Sequence, residues 1–338
     1  MRFITKLFVI KMKKSNAAAK YDSINWFDLP DSVYVRISEQ VRKEYIRLLV
    51  KKCGSFKAAA EWLNQSNGKS RKYSAGDVHC WMTGGKKWKG KKTETLTPKW
   101  AFLSICEELS ENPLTVQDSV LGYKAWGRGT MIATPNLPIQ VSPEFASIFF
   151  HFLGDGHIGG YEDSSTYRQM NDEGLKQFLD KLFLVFGEFK ISQHTFDSGK
   201  VLVPLPITQI ITGYFGMDAS GFSNTFLSPK VFELPREHKV AGLAAFILDE
   251  GHITNRCIEL YSHNARLLKG MRQLVVQLGY ECSEVKGRDL KTSKTRQYRF
   301  RLNKKGSQDF ARDLKGLLEE HPLCSLGCKQ PLLEKYFC

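Results

Sequence analysis

With 338 residues, 42% of them apolar and 25% charged, the chain has the make-up of an ordinary globular protein and room for two or three domains. No apolar run approaches the ~18 residues that a membrane-crossing helix needs, and the apolar stretch of the N-terminal MRFITKLFVIKMKK is too short and too basic for a signal peptide. The net charge of +14 is lopsided: residues 1–130 hold 24 lysines and arginines against 12 carboxylates, whereas the rest hold 25 against 23. A polyanion is the natural partner of such a surface, because each neutralised phosphate releases condensed counterions. The eight cysteines lack the regular spacing of a disulfide framework, which fits a reducing compartment, here read as the cytoplasm with association to the nucleoid through DNA.

Residues 1–30 read as a tail and lead-in, with Met12 as an internal start. Pro30 and Asp31 mark the entry to a helix expected over Ser32–Lys52. GSFKAAAEWLNQ follows, with Ser55 as N-cap and Ala58, Ala59, Trp62 and Leu63 as its inward face. After the polar insert SNGKSRK comes SAGDVHCWMTGG, a short helix capped by Ser74 and stopped by Gly84-Gly85. The two short helices resemble a helix-turn-helix DNA-binding module with a long linking turn. That resemblance implies that Ser74, Asp77 and His79 reach base edges in the major groove; the competing reading is a small helical bundle used for packing. The basic loop KKWKGKK, with Lys86, Lys87 and Lys89, suits phosphate contact without sequence readout. A helix over Lys99–Ser110 and a Gly-rich and Pro-rich passage through Pro138 close this part. The expectation is an all-α domain over 31–130, with a boundary near 130.

The centre of the chain is a repeated pattern. FASIFFHFLGDGHI (145–158) and VAGLAAFILDEGHI (240–253) are apolar helical runs that end acid-Gly-His-Ile, placing Asp155 and Glu250 in equivalent positions. Two such helices packed together bring both carboxylates to one place, where they repel unless a divalent cation or a shared proton lies between them.

The pair resembles the LAGLIDADG motif of homing endonucleases, with IFFHFLGDG (Ile148 to Gly156) as the first copy and LAAFILDEG (Leu243 to Gly251) as the second. Around them the order helix, two strands, helix, two strands, helix is expected twice, over 131–235 and 236–338. In the first half the strands fall in 158–168 and in a hairpin over 189–204, with a helix over Asp172–Phe186. In the second they fall in 253–262 and in a basic hairpin over 281–302, with helices over Asn264–Leu278 and Gln308–Glu320. The fold class is α+β: two pseudo-twofold αββαββα halves whose antiparallel sheets form a saddle for a duplex. The DNA-facing candidates are Arg168, Lys190, Gln193, His194 and Lys200 in the first half. In the second they are Arg256, Lys286, Arg288, Lys294, Arg296, Tyr298, Arg299 and Arg301.

What the resemblance implies is hydrolysis of both strands of a long specific duplex site by a monomer, with Mg²⁺ or Mn²⁺ held by the motif acids. Asp155 and Glu250 carry the metal and the chemistry, Gly154 and Asp249 complete the candidate metal site, and Lys190 and Lys286 are candidates for a basic residue assisting the transition state. The first copy departs from the motif: Phe150 occupies the place of a small residue, filled by Ala245 in the second. Such a ring widens the helix contact unless Ala241 or Ala245 receives it. Two other functions fit the same scaffold, a regulator that binds DNA without cutting and an RNA maturase.

Overall fold

The computed structural model describes residues 22–66, 72–84, 87–88, 91–92, 95–127, 129–159, 165–217, 226–289 and 296–337. The N-terminal part is not all-helical. Val33–Ile37 forms a strand whose alternation buries Val33, Val35 and Ile37 and leaves Tyr34 and Arg36 half-buried, the period-2 pattern of a sheet with one covered face. The helix expected from Ser32 therefore starts only at Glu39 and runs to Cys53, where Gly54 ends it in a left-handed conformation.

Helices Phe56–Ser66 and Ala75–Thr83 appear where the sequence places them. Ser55 Oγ accepts from the Ala58 amide, and Gly84 closes the second helix at φ 96°. The Gly-rich and Pro-rich passage expected to hold the domain boundary contains two further strands, Val120–Ala125 and Ile132–Pro135. They join a five-stranded sheet in the order Gly187–Phe189, Ile132–Pro135, Val120–Ala125, Val33–Ile37, Thr97–Pro98. One sheet thus takes strands from both sides of position 130. Gly122 is needed there because a Cβ at that position would lie 2.8 Å from the Ile132 carbonyl oxygen.

The first motif helix, Pro143–Leu153, is buried at every residue, and Ser142 caps it by accepting from the Phe145 amide. It leads into strand Gly156–His157, which pairs antiparallel with Ser165–Arg168. Helix Asp172–Phe186 has the expected bounds and is capped by Asn171. The hairpin expected over 189–204 does not form. Gly187, at φ 97°, turns the chain so that Gly187–Phe189 pairs with Ile132–Pro135, Ser192 then caps a short helix Gln193–Asp197, and Lys200–Val203 returns to pair with Ser165–Arg168.

The second motif helix, Arg236–Glu250, is followed by Gly251–Ile253, Ile258–Ser262, helix Ala265–Gln277, Lys286–Asp289, Arg296–Leu302 and helix Lys304–Glu320, the order expected. Its four strands form one antiparallel sheet in the order Gly251–Ile253, Ile258–Ser262, Arg296–Leu302, Lys286–Asp289. The chain closes with turns at Pro322–Cys324 and Gly327–Lys329 and a helix, Gln330–Phe337.

The two motif helices meet through Phe150. A Cβ on Gly242 would come within 2.4 Å of Cδ2 and Cε2 of that ring. Gly242 makes room for the phenylalanine, so the helices stay close despite the large side chain.

Candidate active site

The motif copies share a local geometry where helix becomes strand. A Cβ on Gly156 would lie 2.4 Å from the Phe152 Cα, and one on Gly251 would lie 2.5 Å from the Ile247 carbonyl oxygen, each four residues back on its own helix. Only glycine allows the first strand to fold so tightly against the last turn. The acids Asp155 and Glu250 precede those glycines and are both half-buried.

Three raised carboxyls cluster here. Burial, followed by the charge of Asp249, pushes Asp155 up to about 7. Burial, followed by Asp155 and Asp249, pushes Glu250 up to about 7. Asp249 itself is raised to about 7 by burial, opposed by the hydroxyl of Tyr167 and the charge of Lys181. Such elevation by desolvation and like charge is typical of functional acid clusters.

Asp249 does not face the same way as its neighbours. Its side chain is fully enclosed, accepting from the Tyr167 hydroxyl at 2.7 Å and meeting His151 Nδ1 at 2.9 Å. His151 Nε2 lies 2.8 Å from Lys181 Nζ, which also donates to Ser147 Oγ at 2.9 Å. Burial, and then Lys181, hold the imidazole far below its ordinary range, so it is neutral. With Lys181 as an ammonium, Nε2 accepts and Nδ1–H donates to Asp249, an assignment that follows from the network. A neutral histidine thus links Asp249 to Lys181, whose charge favours the ionised form of that carboxyl. Sequence reasoning missed His151, Tyr167 and Lys181. Lys181 carried a signal, since it falls three residues after Phe178 and one before Leu182, on the buried face of its helix.

Gly154, placed beside the metal candidates, contributes close packing: its missing Cβ leaves room for Asp249. Among the described residues no group of three His, Cys, Asp or Glu side chains is arranged to hold an ion. The two outward acids, Asp155 and Glu250, form a smaller carboxylate pair.

The basic residue at the acids is Lys329, which the sequence reading did not single out. Its Nζ donates to the carbonyls of Ile247 (3.0 Å), Leu248 (2.6 Å) and Gly251 (2.6 Å), and its charge draws down Asp155, Asp249 and Glu250 alike. Lys190 instead lines a cleft of about 510 Å³ with Arg36, Met131 and Glu188. Lys286 is exposed on the edge strand of the second sheet, opposite Arg299. Neither lysine is among the charges that shift the three acids.

Strand register sorts the DNA-facing candidates by sheet face. In the second sheet Glu259 pairs with Arg301, Tyr261 with Arg299, Lys286 with Arg299 and Arg288 with Gln297, so these side chains share the face opposite buried Ile258, Leu260, Phe300 and Leu302. Tyr298 has the parity of Phe300 and packs on the core, a correction to its expected place on the DNA side. Arg296 shares that parity. It turns across Gly287, where a Cβ would lie 2.4 Å from Arg296 Nε, and its guanidinium sits 5.9 Å from the Tyr298 ring. In the first sheet Arg168 pairs with Lys200 and Thr166 with His157, on the face opposite Tyr167 and Val201. Arg256 is exposed in the turn after Ile253, and Gln193 and His194 are exposed on the short helix 193–197.

In the N-terminal part, Ser74 and Asp77 form a capping box: the Ser74 amide donates to Asp77 Oδ2 at 2.8 Å and the Asp77 amide to Ser74 Oγ at 3.2 Å. Those two side chains hold a helix end, while His79 is exposed beside Phe56. The backbone of Lys87–Trp88 pairs with Lys91–Lys92. Lys86, Lys89 and Lys294 lie outside the described residues.

Fold and site define an α+β protein in which two packed helices deliver acids to the edges of antiparallel sheets. No family model matches the chain, and comparison with curated proteins finds no match. Among solved structures it is similar to one of mesophilic variants of the homing endonuclease I-DmoI, at a TM-score of 0.37 and 12% identity, over 53% of this chain and 97% of that one. At that score the likeness carries no argument about function. No helix among the described residues is long and apolar enough to cross a membrane.

Proposed function

We propose that this chain is a site-specific endonuclease that cuts both strands of duplex DNA at Asp155 and Glu250. The observation that supports it most is the meeting of two acid-Gly-His-Ile helix ends, with both acids raised first by burial and then by neighbouring carboxylates, Asp155 by Asp249 and Glu250 by Asp155 and Asp249. The residues fit a hard cation such as Mg²⁺ or Mn²⁺, because two carboxyls that stay at about 7 despite the charge of Lys329 match an ion that binds through one or two carboxylates and keeps several waters. When bound, it would neutralise phosphate charge and lower the pKa of water.

The rest falls to the protein. The sheet faces bearing Arg168 and Lys200, and Lys286, Arg288, Arg299 and Arg301, orient the duplex through its phosphates and groove edges. A carboxylate at Asp155 or Glu250 accepts a proton from the attacking water as its oxygen bonds to phosphorus. The bond from phosphorus to the 3′-oxygen breaks, and that oxygen takes a proton from solvent, leaving a 3′-hydroxyl and a 5′-phosphate. The long specific site, the monomeric state and added contacts by His79 and the lysines near 87 belong to the same proposal. The Phe150 ring is compatible with closely packed motif helices, because Gly242 accommodates it.

The test is incubation with a large pool of duplex DNA and Mg²⁺, followed by sequencing of new ends, beside an Asp155→Asn, Glu250→Gln double variant. Discrete staggered ends from the parent alone are the expected result. Retention of duplex DNA by both proteins with no cutting by either would favour a regulator.

A further inference from the structure

Beyond its last long helix the chain runs as a strap from one end of the motif helices to the other. At its start His321 Nδ1 meets Glu144 Oε1 at 2.8 Å, at the N-terminal turn of the first motif helix. Midway, the two N–H groups of Gln177 Nε2 are shared among the carbonyls of Leu323 (2.9 Å) and Ser325 (3.1 Å) and Ser325 Oγ (2.6 Å). Gly327, at φ 49°, then brings the backbone against Leu248, and Lys329 caps the end of the second motif helix. Cys324, Leu326 and Leu333 are buried along this path.

Resting on the nuclease reading, we infer that Lys329 is the positioning residue of the acid centre, delivered by this strap, and makes no contact with DNA. An ammonium has three N–H donors, and all three are engaged by carbonyls at 2.6 to 3.0 Å. None is left for a phosphate. What Lys329 does is add a donor to three carbonyls at the helix-to-strand junction, that of Ile247 also accepting from the Gly251 amide, and place a cation at the negative end of the helix. The carbonyls flank Asp249 and Glu250, so the lysine sets the direction in which those acids leave the helix. A misplacement of reacting groups by 1 Å can cost about a hundredfold in rate.

The test compares the full chain with Lys329→Met and Lys329→Arg on the duplex site recovered from the pool. Single-turnover rate and duplex Kd are read separately, with hydrogen exchange at the amides of 247–251. Lys329→Met should slow cleavage about a hundredfold, leave Kd unchanged and lose protection at the helix end. Lys329→Arg, which also offers several donors, should recover most of both. An unchanged rate, or a Kd that weakens in step with the rate, overturns the inference. Should Lys329→Met fail to fold, Gln177→Leu releases the middle of the strap with the lysine intact; a rate loss without a Kd change is expected, and an unchanged rate again overturns the inference. If the parent cuts no DNA, the nuclease reading fails by itself. The strap is then judged on exchange alone, and retained protection in Lys329→Met or its Gln177→Leu substitute overturns it.

Discussion

Asp249 fills the space that a side chain on Gly154 would occupy: a Cβ built on Gly154 would lie 2.7 Å from both Cβ and Oδ2 of Asp249. The two residues occupy the same place in the two motif copies, one before the acid. The absence of a side chain in the first copy is what admits the buried carboxylate of the second, and with it the hydrogen-bonded chain from Tyr167 to Ser147.

Adding a methyl group at either close approach should therefore be destabilising. Gly154→Ala and Gly242→Ala each force a contact under 3 Å, with Asp249 and with the Phe150 ring respectively. Overpacking of this kind costs ~1–3 kcal/mol, read as a lower midpoint in urea unfolding with the slope unchanged. Gly316→Ala, whose Cβ meets nothing within 4 Å, is the control and should not destabilise.

The three acids make stability fall as pH rises. Each is held at about 7, burial being the first cause in every case, so the folded protein binds more protons than the unfolded chain between the ordinary carboxylate range and 7. Their contribution is complete below about pH 4 and is lost as pH climbs through 7. The Asp155→Asn, Glu250→Gln double variant should melt a few degrees above the parent at about pH 8, and the gap should shrink toward about pH 5. A gap that widens at low pH contradicts this.

Tyr167→Phe isolates one bond of the buried chain. The ring stays stacked on Phe178, with centroids 4.0 Å apart, while Asp249 loses its hydroxyl donor. Hydrogen bonds to charged groups contribute ~1.5–3 kcal/mol, and a loss in that range is expected in chemical denaturation.

On the second sheet, register predicts which side chains touch DNA. Arg301→Ala should weaken duplex binding and lower the slope of log K against log salt by about one. Tyr298→Phe, on the core side, should leave both unchanged. Filter binding over a salt series distinguishes the two.

Much of this was legible beforehand because it rests on local pattern. The 3.6-residue periodicity of Asp172–Phe186, the caps at Ser55 and Ser74, the stop at Gly84 and the repeated acid-Gly-His-Ile ends all act within a few residues of themselves. What failed was non-local. Val33–Ile37 and Gly187–Phe189 become strands of one sheet because partners 52 to 92 positions away complete their hydrogen bonding, a pairing that no window along the chain contains.

The same division runs through the site. Asp155 and Glu250 could be named from their repeat, but not Lys329, whose meaning lies in carbonyls some 80 residues upstream. Nor could the sequence orient Asp249, adjacent to Glu250 yet turned the other way. Successive residues at a helix end point in different directions, and only the packed neighbour decides which direction meets solvent and which meets a buried histidine. Composition and periodicity determined that two acidic helix ends exist and that the surface is basic. Tertiary packing decided which carboxylates face outward, which cation steadies them and which faces of the sheets are open, because burial and charge pairing are properties of space and not of order along the chain.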